Sequence, residues 1–188
     1  MKQINPTNFE AIPAFPDGKN SGERRVHAVI ETPRDTRHKY AFDPKLGLFK
    51  LKLTLPEGMQ WPYDYGFVPR TLADDGDPLD ILVLNQIPTF TGCLLETRVL
   101  GIVRLKKNGV ENDRVLAAPV VQPGVSQPSD AFADADDIPK DTMSDICRFL
   151  VEYSEEEGNR VEFKQVRSRK KAMAAIEAAM KTYEKKSK

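Results

Sequence analysis

Four aspartates lie within seven residues near the middle of the chain, at Asp74, Asp75, Asp77 and Asp80. Carboxylates this close repel one another unless cations lie among them. Because no Cys or His is nearby, their hard oxygen atoms favour Mg²⁺, Mn²⁺ or Ca²⁺ over Zn²⁺. An EF-hand is excluded, since the loop lacks the twelve-residue spacing and the terminal Glu. The alternative is a solvated turn, because Asp, Gly and Pro are turn formers.

The setting of Asp80 favours a metal site over a turn. It is the only polar side chain between Pro78 and Asn85, and a carboxylate in an apolar strand is costly unless it is paired or coordinated. Asp75 and Asp77 share one face of an extended chain, whereas Asp80 has the opposite parity. The intervening glycine and proline can bend the backbone. We therefore expect all three carboxylates to converge on a divalent cation.

Charge and cysteine usage exclude several classes of protein. Lys and Arg together number 28, as do Asp and Glu, so the formal net charge is zero. This balance argues against nucleic acid as a partner. No apolar run approaches the ~20 residues that span a bilayer, so we expect no membrane partner. The start of the chain has no secretory h-region, and Cys93 and Cys147 are far apart in sequence. We therefore expect a cytoplasmic location.

The first two thirds of the chain predict an arm followed by short strands. Residues 1–23 are rich in Pro, Gly and Asn without a hydrophobic period, which predicts an extended N-terminal arm. We expect residues 24–188 to form one domain. Val26, Ala28 and Ile30 alternate with His27, Val29 and Glu31, and apolar and polar residues alternate in Phe49–Leu53. Several such segments, separated by Pro and Gly, indicate a small barrel or sandwich.

The last third has the period of helices. Apolar residues in Met143–Val151 form one stripe of a helix that Gly158 ends. A short strand, 161–166, precedes a final helix for which Ser168 is the expected cap. The predicted fold class is α+β, a β-barrel with helices packed on its outside.

At the aspartate cluster the sequence resembles the Mg²⁺-dependent, single-domain soluble inorganic pyrophosphatases. The segment Asp75–Ile81 fits the three-aspartate signature of that family in full. Further segments match in the same order over roughly residues 24–165: Val29–Pro33, Lys39–Tyr40, Gly47–Phe49, Pro62–Phe67, Pro119 and Asp137–Pro139. The resemblance implies an OB-like five-stranded β-barrel with peripheral α-helices. It also implies a cytoplasmic homo-oligomer that hydrolyses pyrophosphate to two phosphates.

The resemblance also implies roles for individual residues. Asp75, Asp80 and a later carboxylate would hold Mg²⁺, with Mn²⁺ as an alternative. Asp77 would accept a proton from the attacking water, a step that metal binding assists by lowering the pKa of that water. Glu31 would hold an additional metal that arrives with the substrate. Lys39, Tyr65 and Tyr153 would bind the leaving phosphate and stabilise its charge. Tyr65 would therefore be catalytic as well as substrate-binding.

The chain departs from the family pattern at several positions. Ala41 replaces a Glu, Trp61 a Tyr and Ser154 a Lys. Lys52 falls on a phosphate-binding Arg, so the charge is kept while the bidentate fork is lost. Arg114 falls on a Lys and is a further candidate for substrate binding.

The second acidic part of the site depends on the register of one strand. If the segment is matched to the family pattern without a gap, Lys107 and Asn112 occupy the positions of two family aspartates. If the match is shifted by one residue, Asp113 occupies the second of these positions instead. We expect Asp113 to be the metal ligand, because a carboxylate binds Mg²⁺ better than a neutral amide does. Lys107 and Arg114 could compensate in part, since a fixed cation can replace a metal's charge near a phosphoryl group.

Two functions are compatible with these residues. The first is hydrolysis of pyrophosphate by metal-activated water, because Asp75, Asp77, Asp80, Tyr65 and Lys39 are all present. The second is a catalytically weakened relative that binds a phosphorylated ligand or nucleic acid without hydrolysing it. The zero net charge weighs against nucleic acid in either case.

Overall fold

The computed structural model describes residues 9–16, 25–120 and 126–187. Within these ranges the strands are β1 (Arg25–Thr32), β2 (His38–Asp43), β3 (Leu48–Thr54), β4 (Asp64–Phe67), β5 (Asp80–Val83), β6 (Leu94–Lys107), β7 (Val110–Glu111), β8 (Arg114–Pro119) and β9 (Val161–Ser168). The helices are α1 (Lys140–Glu156) and α2 (Arg169–Lys186), with short 3-10 helices at Phe9–Ala11, Pro128–Ala131 and Ala135–Asp137.

Five of these strands close into a barrel. β1 pairs antiparallel with β4, and β4 with β5. β5 then pairs parallel with β8, which pairs antiparallel with β6, and β6 returns to β1. β9 and β7 extend β6, while β2 and β3 form a separate hairpin. The predicted α+β fold with a five-stranded barrel is confirmed.

The barrel strands carry apolar side chains on both faces. Ile81 and Val83 of β5 pack in a cluster that includes Ile176 of α2. Leu82, of the opposite parity, packs in a second cluster that includes Tyr65 of β4 and Leu150 of α1. The helices therefore cover different faces of the sheet. Asp80 has the parity of Leu82, so it begins β5 on the α1 side.

The described part of the predicted arm packs against the barrel. Ala14 and Phe15 are buried in the core, and the backbone N–H of His27 donates to the carbonyl oxygen of Ala14 at 2.8 Å. The ring of Phe9 contacts those of Phe42, Phe49 and Phe67, with centroids 4.7–5.8 Å apart. Residues 1–8 and 17–24 lie outside the described residues, so the boundary between arm and domain stays a prediction.

Helix α2 begins at the predicted position, but its cap differs from the expectation. Ser168 is the N-cap residue, yet its side chain makes no capping hydrogen bond. The backbone N–H of Arg169 instead donates to the carboxylate of Asp134, at 3.2 and 3.3 Å. A carboxylate at a helix N-terminus also interacts favourably with the helix dipole. Neither helix has the combination of length and apolar composition that a membrane crossing requires, among the residues described.

Gly66 allows β1 and β4 to approach closely, and this predicts a large effect of adding one methyl group. A Cβ at Gly66 would lie 1.9 Å from the backbone oxygen of Val29, which is part of the paired strand. We expect Gly66→Ala to lower the free energy of unfolding by at least about 3 kcal/mol, measured by urea denaturation.

Gly58→Ala is the matched control, because no described atom lies within 4 Å of the added Cβ and only its φ of +85° opposes the change. The control should lose about 1–2 kcal/mol. Equal losses in the two variants would contradict the close approach of β1 and β4.

Candidate active site

A tight turn presents the aspartate signature at the start of β5. The backbone N–H of Ala73 donates to the oxygen of Asp77 at 2.8 Å, and that of Gly76 to the oxygen of Ala73 at 3.1 Å. Gly76 has a φ of +92°, a conformation that favours glycine. The turn ends at Pro78, and Asp80 is the first residue of β5. The turn that the sequence offered as an alternative is therefore observed, and it brings the aspartates to the start of β5.

The aspartates line a cavity of about 690 Å³, a size that is ordinary for a small-molecule site. The cavity brings together most of the predicted site residues: Glu31, Lys39, Lys52, Tyr65, Asp75, Asp77, Asp80 and Arg114. Tyr153 is buried immediately behind this lining, with its hydroxyl 3.3 Å from Nη2 of Arg114. Asp113 does not belong to the lining.

An ion pair joins β5 to β8 at the cavity. Asp80 and Arg114 are direct neighbours in the parallel β5–β8 pair, and Nη1 of Arg114 lies 2.9 Å from Oδ2 of Asp80. The Arg114 side chain is only 2% exposed. Burial alone would lower the pKa of Arg114, but the carboxylate of Asp80 raises it above its ordinary value. Arg114 is therefore a fixed positive charge in the wall of the cavity.

The register places Asn112, not Asp113, at the cavity. The amide nitrogen of Asn112 donates to Oδ2 of Asp75, and its amide oxygen accepts from Nη2 of Arg114 at 2.5 Å. Asp113 lies on the other face, 2.6 Å from Nε of Arg104. The expectation that Asp113 would be the metal ligand is therefore not met. Because side chains alternate along an extended chain, Asn112 and Arg114 point to the cavity face and Asp113 points to the opposite face.

The three signature aspartates line one cavity without converging on one point. Within the part of the chain that the structure describes, no three Asp, Glu, His or Cys side chains are placed to hold a metal ion together. The expected convergence is not observed, because Asp75 is paired with Asn112 and Asp80 with Arg114. The donor types still fit Mg²⁺, which proteins commonly bind through one or two carboxylates while it keeps several waters.

The remaining carboxylates of the cavity are electrostatically unfavourable in the absence of a cation. Burial, and then the charges of Asp75 and Asp80, raise the pKa of Asp77 above its ordinary value. The pKa of Glu31 is raised to about 8, mainly by burial and also by the charges of Asp80 and Asp77, although the backbone N–H of Phe42 and the charge of Lys39 oppose the shift. A divalent cation among these groups would stabilise their charged forms. This excess of negative charge supports a hard cation as a ligand of the cavity.

A basic and phenolic group lies beside the aspartates, as predicted for Lys39, Tyr65 and Tyr153. Nζ of Lys39 is 4.9 Å from the ring centroid of Tyr153 and 6.0 Å from that of Tyr65. The two phenolic oxygens are 3.4 Å apart. Burial would raise the pKa of Tyr153, but Arg114 and Lys39 lower it below its ordinary value. Trp61 packs against both phenols, with centroids 4.8 Å from each.

Glu157 is a site residue that the sequence analysis missed. Its Oε1 lies 2.6 Å from Nζ of Lys39, and both side chains are largely buried. The two residues are 118 positions apart, and Glu157 stands in an acidic run at the end of α1 that resembles a solvated helix end. Phe9 of the arm also lines the cavity without having been predicted there.

Carboxylate and amide oxygens beside fixed cations and phenols define a site for a multiply charged anion together with a divalent cation. This is the arrangement that phosphoryl transfer to water requires. The fold and the cavity therefore place the protein in the class of metal-assisted phosphoanhydride hydrolases built on a small barrel.

Comparisons with known proteins give the family. Residues 28–184 match the family model described as inorganic pyrophosphatase. The inorganic pyrophosphatase of Haloferax volcanii is 37% identical over 178 residues, which cover 94% of each chain. That of Geobacillus stearothermophilus is 39% identical over 137 residues, 73% of this chain and 81% of that protein. The crystal structure of the Thermus thermophilus enzyme superposes with a TM-score of 0.81 at 34% identity, covering 94% of this chain and 99% of that one. The chain belongs to the inorganic pyrophosphatase family.

The raised pKa of Glu31 predicts how the stability of the metal-free protein depends on pH. The folded chain retains a proton on Glu31 up to about pH 8, whereas the unfolded chain releases it near the ordinary value of 4.5. Stability from this group is therefore present at low pH and is lost as pH rises through this window. Glu31→Gln does not titrate, so its melting temperature relative to wild type should rise between pH 5 and pH 8 in EDTA.

Thermal unfolding of both proteins at the two pH values measures this difference. Glu57→Gln, at an exposed position outside the cavity, provides the control and should track wild type at both. A Glu31→Gln offset that is the same at pH 5 and pH 8 would show that Glu31 does not bind a proton on folding.

Proposed function

We propose that this protein hydrolyses inorganic pyrophosphate to two phosphates with Mg²⁺ as the metal, and with Mn²⁺ as an alternative. Membership of the inorganic pyrophosphatase family supports the reaction and the need for a metal. The observation that carries the proposal is the placement of Asp75, Asp77 and Asp80 in one cavity with Lys39 and Arg114. Hydrolysis of pyrophosphate requires cations that neutralise the charge of the substrate, and it also requires a base that accepts a proton from the attacking water.

Asp75 and Asp80 would hold the divalent cation, and Glu31 would hold a further cation that arrives with the substrate. The bound cation supplies charge neutralisation and lowers the pKa of the attacking water. Asn112, not Asp113, lies beside these carboxylates, and its amide nitrogen donates to Oδ2 of Asp75.

Asp77 is the proposed proton acceptor. A general base is most effective when its pKa lies close to the working pH, and burial together with Asp75 and Asp80 shifts the pKa of Asp77 upward. Its backbone N–H donates to Oδ1 of Asp75 at 3.1 Å, which fixes the position of Asp77 relative to Asp75.

Lys39, Lys52, Arg114 and the two phenols, Tyr65 and Tyr153, would bind the phosphates. Arg114 and Tyr153 are in hydrogen-bond contact, and Lys39 lies over the Tyr153 ring. Such preorganised donors stabilise the negative charge that develops on the leaving phosphate. The hydroxyls of Tyr65 and Tyr153 would donate hydrogen bonds to that phosphate, since a protonated phenol carries an O–H donor.

We propose a cytoplasmic homo-oligomer. Leu48, Leu51, Ile87 and Phe90 are each more than half exposed, and apolar side chains of this kind are commonly covered at subunit interfaces. A relative that binds without hydrolysis is the less favoured alternative, since Asp77 and its neighbouring carboxylates are all retained in the cavity.

Substitution of the proposed base tests the function. Asp77→Asn removes the proton acceptor with little change in shape, so kcat for phosphate release from pyrophosphate should fall at least about 100-fold. EDTA should abolish release by wild type, and Mg²⁺ should restore it. A colorimetric phosphate assay measures each case.

Asp74→Asn is the matched control, because Asp74 lies in the same turn, is exposed and does not line the cavity. Its activity should stay close to that of wild type. The proposal is wrong if folded wild type releases no phosphate with either Mg²⁺ or Mn²⁺, or if the two variants are equally active.

A further inference from the structure

Lys107 is a cation of the cavity to which the proposed mechanism gives no role. It is the last residue of β6 and lines the cavity. Leu105, two residues earlier, is buried in the cluster that contains Leu82 and Tyr65. Because side chains alternate along a strand, Lys107 lies on the same face of β6 as Leu105, the face that leads to the aspartates.

The neighbouring cations of β6 have partners on other elements. Nζ of Lys106 lies 3.5 Å from a carboxylate oxygen of Glu111, and Nε of Arg104 lies 2.6 Å from Asp113. Neither Lys106 nor Arg104 lines the cavity. Arg104 and Lys106 are therefore paired with carboxylates outside the cavity, whereas Lys107 faces the cavity.

Two of the five cationic side chains that line the cavity are already engaged by protein carboxylates. Arg114 pairs with Asp80, and Lys39 pairs with Glu157. Lys107, by contrast, has no ion pair within 4 Å among the residues of 9–16, 25–120 and 126–187, and the same holds for Lys52 and Arg70. Lys52 and Lys107 line the cavity together with Asp77. Much of the positive charge that remains available for an anion therefore lies in the same cavity as the proposed base.

A substrate with several negative charges must approach three aspartates that repel it. Cations that already neutralise protein carboxylates offer less attraction than cations without a partner. We propose that Lys107 binds a phosphoryl group of pyrophosphate beside Asp77, so that a fixed protein cation supplies part of the charge neutralisation at this site. The inference rests on the proposed function, because pyrophosphate is the anion that it names.

Binding of a non-hydrolysable analogue tests Lys107 without relying on turnover. The affinity of wild type, Lys107→Ala, Lys107→Arg and Lys106→Ala for imidodiphosphate is measured by isothermal titration calorimetry in Mg²⁺ buffer. Loss of a charge-assisted contact should raise the Kd of Lys107→Ala about tenfold. Lys106→Ala removes the same charge from the adjacent position of the strand and should change the Kd less than about twofold. Lys107→Arg should restore most of the affinity.

Steady-state kinetics adds a second readout, since the KM of Lys107→Ala for pyrophosphate should rise while Lys107→Arg remains near wild type. Lys107→Gln replaces Lys107→Ala if the alanine variant melts at a lower temperature than wild type. Equal affinities of wild type and Lys107→Ala would overturn the inference, as would an equal loss in Lys106→Ala. Wild type that binds the analogue but releases no phosphate from pyrophosphate would instead contradict the proposed function.

Discussion

The ion pair between Asp80 and Arg114 is the contact on which the rest of the site depends. It lies between neighbouring residues of parallel strands β5 and β8, so it fixes where the aspartate turn meets the barrel. Arg114 also contacts Asn112 and Tyr153, and through Asn112 it reaches Asp75. Removal of one partner of a buried pair leaves an uncompensated charge, which costs about 3–5 kcal/mol. One guanidinium thus orders the acidic and the phenolic groups together.

Protein groups neutralise only part of the negative charge of the cavity. Arg114 and Asn112 each take one oxygen of an aspartate, whereas Asp77 and Glu31 remain in surroundings that oppose their ionisation. The carboxylates therefore do not form a closed cage before a metal binds. This arrangement suits Mg²⁺, which keeps much of its water shell and needs few protein ligands. Among the described residues, Lys52 and Lys107 of the cavity have no ion pair.

Much of the fold and of the site could be predicted from local sequence patterns. The errors arose where the pairing of distant segments determines which side chains face the cavity. The alternation of Val26–Ile30 and the helical stripe of Met143–Val151 are local, so strands and helices could be predicted. The aspartate signature is also local. Asn112 and Asp113 are adjacent, and only the pairing of β5 with β8 determines which of them faces the cavity. Similarly, the contact between Lys39 and Glu157 joins residues that only the closed barrel and α1 bring together.

The central claim, that the aspartate turn binds a divalent cation in this cavity, is tested most directly by anomalous scattering from crystals grown with Mn²⁺. We expect a peak inside the cavity, at coordination distance from a carboxylate oxygen of Asp75 or Asp80. Manganese bound only outside the cavity, or no peak in crystals that diffract well and contain Mn²⁺ at saturating concentration, would contradict it.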